Sequence, residues 1–183
     1  MKKKVLALVL AMVLLVVGVA AGTLAWLTSK SDTVVNTFTT SDITVELKEK
    51  TGTTYKMVPG FEIGKDPTVT VKAGSEDCYL FVKLEKSSNF DSFLTYVTAE
   101  NWAPLTGVDG VYYRVVRASN ADQSFGILKD NKVTVKDTVT KTMMTELTDV
   151  TLPKLTVSAY ASQLYKSAGV EFTAADAWAN VNP

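Results

Sequence analysis

From Ile43 onward, apolar and polar residues alternate with a period of two. Ile43, Val45 and Leu47 are interleaved with Thr44, Glu46 and Lys48; Val69 and Val71 with Thr68, Thr70 and Lys72; Val133 and Val135 with Lys132, Thr134 and Lys136. Leu155, Val157, Ala159 and Ala161 alternate in the same way with Thr156, Ser158, Tyr160 and Ser162. Successive side chains of a strand point to opposite faces, so each stretch predicts a strand with one face in a core and the other toward water. The run from Cys78 to Leu84 is apolar on both faces, with Tyr79 and Phe81 opposite Leu80 and Val82, which predicts a central strand covered on both sides. Val111 to Arg117 has the same character.

Turn signals separate these runs at intervals suited to two packed sheets: Thr51-Gly52, Pro59-Gly60, Asp66-Pro67, Ala73-Gly74-Ser75, Gly107-Val108-Asp109-Gly110 and Asp130-Asn131. The many threonines suit a pleated face that meets water. The expected fold is an all-β, jelly-roll-like β-sandwich with one or two short helices. One of these is predicted where Phe90, Phe93, Leu94 and Val97 recur at i, i+3, i+4, i+7 after Ser88-Asn89. The other follows Thr173-Ala-Ala-Asp176, which has the form of a capping box, with Trp178 as its anchor or, alternatively, as a ligand-stacking ring.

The first 25 residues follow a different rule. Lys2, Lys3 and Lys4 precede an uncharged apolar run from Val5 to Ala21, and Gly22-Thr23-Leu24-Ala25 places Thr23 and Ala25 at minus three and minus one of a signal-peptidase site, with cleavage before Trp26. The run is somewhat longer than an ordinary signal core, so an uncleaved anchor reaching Leu27 is the rival reading. No cysteine stands at the junction for lipidation, and the end at Asn182-Pro183 carries neither a hydrophobic tail nor a wall-sorting motif. The reading is therefore a helical signal peptide over 1–25, a leader or donor-strand segment over 26–40 and a β-sandwich domain over 41–183. The localisation it implies is secretion, to an extracellular matrix or the cell surface.

Removing the three leader lysines from 19 basic side chains leaves 16 against 19 acidic ones, a net charge of −3, which speaks against nucleic acid as a partner. Cys78 is the single cysteine, so no intramolecular disulfide is possible and stability must come from packing; its place at the head of an apolar run predicts a buried small hydrophobe. The chain contains no histidine. That removes Ser-His and Cys-His nucleophile pairs, histidine bases and the HExxH zinc site. Asp109-Gly110, the group Asn120, Asp122 and Gln123, and Asp130-Asn131 offer oxygens but lack the carboxylate density and spacing of a calcium loop. Glu76 and Asp77, adjacent at the head of a strand, point to opposite faces rather than forming an acid/base pair. No catalytic constellation, cofactor or metal site is expected, and the chain reads as a non-enzyme.

Several short motifs carry a resemblance: Gly22-Thr-Leu-Ala-Trp-Leu-Thr28, Asn36-Thr37-Phe38, Ile43-Thr44-Val45, Val58-Pro59-Gly60 with Lys65-Asp66-Pro67, Gly74-Ser75, Tyr79-Leu-Phe-Val-Lys83, and Ala159-Tyr-Ala-Ser-Gln163 followed by Ala177-Trp178. Together they span most of the chain, and it resembles the camelysin/TasA-like family of Gram-positive bacteria. The resemblance implies a jelly roll exported with a signal peptide cut by a SipW-type signal peptidase, and subunits that assemble into biofilm fibres. Other matrix proteins or cell-wall material are further partners it allows. The metalloprotease activity associated with the family's name is not carried over to a chain without histidine.

Cleavage after Ala25 would release a β-prone segment whose apolar residues, Trp26, Leu27, Val34, Val35 and Phe38, flank the polar run Ser29 to Thr33. Such a segment can complete a neighbour's sheet, or it can be the first strand or a loose leader of its own domain. A surface binding module using Gly107 to Gly110 and Ala118 to Phe125 is the alternative function, and a hydrolase of unusual design the remotest.

Overall fold

In the computed structural model, which describes residues 42–52 and 54–181, the run that opens at Cys78 is the strand on which two cores are built. β4 (Cys78–Lys86) pairs along its length with β10 (Leu155–Gln163) on one side and with β7 (Val111–Val116) on the other, and β6 (Ala103–Pro104) closes the order β10-β4-β7-β6. The facing layer has two three-stranded parts. One is ordered β1-β3-β8, from β1 (Val45–Lys48), β3 (Thr68–Val71) and β8 (Gln123–Gly126); the other is ordered β2-β9-β5, from β2 (Glu62–Gly64), β9 (Lys132–Val135) and β5 (Leu94–Thr95). The backbone bonds Ala99 N to Ile127 O, 2.9 Å, and Lys129 N to Val97 O, 2.8 Å, stitch the parts together. Every pairing between the described strands is antiparallel, and the fold is an all-β sandwich.

The alternation of β4 sorts its side chains between the cores. Cys78, Leu80, Val82 and Leu84 face the sandwich interior, where they meet Val69 and Val71 of β3, Val133 and Val135 of β9, and Ile127 and Leu128. Tyr79 and Phe81 face outward into a second core with Leu105, Val111, Leu164, Ala177 and Trp178. This satellite is covered by a closing helix, Ala174–Ala179, and by Leu164 and Phe172, which flank the exposed hairpin of β11 (Tyr165–Ser167) and β12 (Val170–Glu171). Thr173 caps that helix, its Oγ1 accepting from Asp176 N at 3.1 Å and donating to the Asp176 carboxylate at 2.8 Å. Trp178 is 5% exposed, its ring 5.3 Å from Phe81 and 5.2 Å from Tyr160 between centroids. The anchoring role expected of Trp178 is what the packing uses.

Two expectations are corrected. The helical spacing of Phe90, Phe93, Leu94 and Val97 yields a single turn, α1 (Phe90–Phe93), and Leu94 already belongs to β5, in register with Val135. Val97 is exposed. Thr95, Tyr96, Val97 and Thr98 are β-branched or aromatic and gain ladder and bridge bonds with β9 and Leu128, which outweighs a short helical period. Tyr160, read as a solvent-facing position of β10, is instead half-buried against Trp178, because the outer face of this sheet is covered by the C-terminal helix. The remaining helices follow in chain order as α2 (Lys141–Thr145) and α3, the closing helix.

Candidate functional site

A groove of about 430 Å³ opens at the margin where β2 and the start of β10 come together. Its floor is apolar: Phe90, Leu94 and Val133 are core residues, and Met57, Ile63 and Leu155 pack against them. Its rims are polar, with Thr54, Tyr55 and Lys65 on one side and Lys154 and Thr156 on the other. Around this margin apolar side chains stay exposed: Leu47 (36%), Leu152 (42%), Val58 (49%) and Phe61 (66%). Leu47 is in register with the fully buried Val69, so it lies on the inward face of β1, yet nothing among the described residues completes its cover.

Three strand edges meet here. Among the described strands β10 is paired only with β4, β2 only with β9 and β1 only with β3. β1 runs beside β10 without forming a ladder with it. Among the described residues, β10 presents a nine-residue edge that forms no second ladder.

The wall formed by the segment after β1 is tied down by charge. Asp66 Oδ1 accepts from Lys50 N, 3.0 Å, Thr51 N, 2.9 Å, and Thr51 Oγ1, 2.8 Å. Those bonds, the Thr51 amide first, hold the Asp66 carboxyl below the ordinary carboxylate range. Lys65 Nζ reaches both carboxylate oxygens of Glu49 at 2.9 Å, and Tyr55 donates to Glu49 at 2.7 Å. The Glu49 and Lys65 side chains are only 18% and 12% exposed, and burial pushes the Tyr55 phenol up. The rim is therefore fixed rather than loose before anything enters the groove.

The residues singled out from sequence fall in several places. Thr23, Ala25, Trp26, Leu27, Val34, Val35 and Phe38 lie outside the described residues. Asp122 bonds Lys72 and accepts from Ala73 N at 2.9 Å, and Gln123 donates to Arg117 O at 2.8 Å, so that loop is an ordinary turn with its side chains engaged. Asp130 and Asn131 both take positive φ, and Lys132 pairs with Glu62 at 2.8 Å and Asp130 at 3.7 Å. Asp77 accepts from Ala118 N at 2.7 Å and Arg117 at 2.8 Å, which holds its carboxyl below the usual range. Arg117 also reaches Tyr165 and Glu171, tying the β11–β12 hairpin to the head of β4. Cys78 is fully buried, and burial pushes its thiol up to about 11. The described residues contain no group of three or more side chains placed to hold a metal.

Compared with protein-family models, curated proteins and solved structures, the chain matches none. The groove itself was not read from the sequence. Its lining comes from five separated stretches, and the one local sign was the set of apolar residues at turns, Val58, Phe61 and Leu152, that no strand period accounts for.

Proposed function

We propose that this chain is a secreted structural protein that assembles into extracellular fibres once its signal peptide is removed. The segment Trp26 to Phe38 of one subunit adds as a strand to the open margin of the next. The observation that carries this reading is the coincidence of an apolar groove with the free, nine-residue edge of β10. Thirteen residues in extended form span about 40 Å, more than the roughly 30 Å of β10, so the segment has the reach to follow that edge and still connect to its own domain. Main-chain bonds to the edge would supply affinity, and Val34 and Phe38, two of the segment's alternating apolar positions, would fill the groove. A contact of this kind is heterologous, and it propagates as an open filament when its rotation does not close a ring.

The family resemblance supports the same reading and supplies its remaining terms: a jelly-roll connection of the strands, a SipW-type signal peptidase as processing partner, and a matrix or cell-surface location. While the leader is attached, the donor segment is held at the membrane, so cleavage licenses assembly. The chain acts without catalysis in this reading, and the groove is an assembly site.

The test is negative-stain electron microscopy of protein secreted from a host carrying the matching peptidase, its N-terminus read by mass spectrometry. Filaments built from chains beginning at Trp26 are the expected result. Deleting residues 26–38 should leave a folded monomer, and Ile63→Arg at the groove should abolish filaments while preserving circular dichroism. Filaments that persist with the groove blocked would sink the proposal, and a deletion that unfolds the domain would place the segment in its own core.

A further inference from the structure

The described chain enters the sandwich at the end of β10 remote from the groove. Glu76 N donates to Asp42 O at 3.2 Å, and Cys78, two residues on, is in register with Gln163 at the close of β10. The groove lies at the other end of the same edge, around Lys154 to Thr156, where Ser87 N donates to Lys154 O at 2.9 Å as β4 runs out. Between Phe38 and Asp42 stand three residues, Thr39, Thr40 and Ser41. Four Cα-to-Cα steps reach at most about 14 Å.

Given the strand addition proposed above, these positions fix how two subunits sit. With Val34 and Phe38 in the groove, the segment runs antiparallel to β10, Trp26 toward Gln163, and its own domain begins no more than about 14 Å beyond the groove. The entry end of the donor subunit is thereby pressed against the groove end of the acceptor. A parallel insertion would bring the entry ends of donor and acceptor together instead. Each subunit inside a filament is donor and acceptor at once, so its entry end would then be needed in two such contacts. Antiparallel insertion uses each end once.

The groove end has the surface for this contact. Val58, Phe61 and Leu152 stand exposed around the groove, and Val150 is 86% exposed. Val150 sits on a fixed turn, closed by Thr151 N to Thr148 O at 2.9 Å and Thr148 N to Thr151 Oγ1 at 2.8 Å, and fastened by Asn89 Nδ2 donating to Thr151 O at 2.7 Å. Exposed apolar groups gathered on fixed backbone are the material of an interface core. The entry end offers the loops 73–76 and 118–121, joined by Gly74 N to Ser119 O at 2.9 Å around a polar hollow of about 310 Å³. Their exposed alanines, Ala73, Ala118 and Ala121, give the apolar rim a partner. Among the described residues Asp42 and Glu76 at this end form no ion pair, and neither do Lys56 and Lys154 at the groove end, against the single acid, Asp149, of the Val150 turn.

We propose that the entry end of one subunit docks on the apolar rim of the groove of a second copy, Val58, Phe61, Val150 and Leu152, as a second interface beside the added strand. These side chains are exposed in the single chain because their cover is the next subunit.

Cysteine pairs and a short bismaleimide read the contact in filaments of chains beginning at Trp26. Cys78 is fully buried, so the wild type should stay uncoupled. Asn120→Cys with Val150→Cys in one chain should give a covalent ladder of dimers, trimers and longer species on denaturing gels, and either substitution alone should give none. Neither residue lines the groove, so these variants should still form filaments. Val150→Asp should raise the critical concentration for assembly at least fivefold, with circular dichroism unchanged. Filaments that Ile63→Arg abolishes, but that show no ladder or an unchanged critical concentration in Val150→Asp, would overturn the end-to-end contact and leave strand addition standing. Dimers from Asn120→Cys alone would overturn it too, since entry ends would then meet. Filaments that persist with Ile63→Arg, or a wild-type chain that forms none, would remove strand addition and the contact with it.

Discussion

Replacing Trp178 by alanine separates the two cores of this fold. The indole is 5% exposed, seals the outer face of β4 over Phe81, and packs edge-on against Tyr160. A buried tryptophan removes on the order of 200 Å² from water, which at about 25 cal/mol per Å² is about 5 kcal/mol, an upper value for the whole side chain. Truncations of this kind cost about 3–5 kcal/mol. α3 has only six residues, too few to persist without tertiary packing, so the loss falls first on the C-terminal module. Its ties to the rest are few: Leu164 N to Asp77 O, Tyr79 Oη to Phe172 O, and the Arg117 fork.

The expected result is therefore graded. Hydrogen exchange should show the amides of β11, β12 and α3 losing protection while those of β3 and β9 keep it. The urea midpoint should fall by about 1.5–2.5 M if the slope is about 2 kcal/mol per M. Trp178→Phe should recover most of the difference. A loss below about 1 kcal/mol, or equal loss of protection in β3 and β11, would refute the division into a main core and a detachable satellite.

Gly110 takes φ +72° and an added Cβ would stand 2.6 Å from Leu84 O, whereas Gly107, at φ +81°, has open space around it. Both alanine variants carry a dihedral cost of about 1–2 kcal/mol, so Gly110→Ala should be clearly the more destabilised by denaturant titration, and parity would mean the contact relaxes freely. Asp66, Asp77 and Asp122 all have folded-state pKa values below the ordinary 3.8. Their stabilisation is fully present above that value and lost as the pH falls through the depressed one, so the midpoint should drop below about pH 4; Asp77→Asn should flatten that slope. Cys78, with its thiol pushed up to about 11 and no exposed surface, should resist a thiol reagent at pH 8 until denaturant is added, and prompt labelling would contradict its burial.

The main core was legible because its signal is local. A period of two marks Val69, Val71, Val133 and Val135, the two-sided run at Cys78 marks the central strand, and Thr173 with Asp176 marks the start of α3. What was not legible depends on partners distant in sequence. Tyr160 reads as a surface residue until Trp178 arrives beside it, and Leu94 reads as helical until β9 offers a ladder. Arg114 interrupts an apolar strand like any solvent-facing charge, and only the folded arrangement of Trp102 and Phe125 reveals that it points inward. The groove is the extreme case, since its residues are brought together by topology alone.

The strand edges themselves bear on how such a chain would grow. β6 is two residues long and its Pro104 has no N–H to offer; β5 is equally short, and β2 has three residues with Glu62 held across the ladder by Lys132. Short edges, proline and paired charges are the means by which sheets refuse further strands. β10 has none of them: Leu155 to Gln163 contains no proline, no glycine and no charged side chain, and its guards, Pro153 and Lys154, precede it. An unguarded edge of nine residues invites uncontrolled pairing unless a dedicated strand covers it, whether from the same chain or a neighbour. If that margin is the acceptor and each chain brings one donor segment, as proposed, growth would be linear and would have a direction.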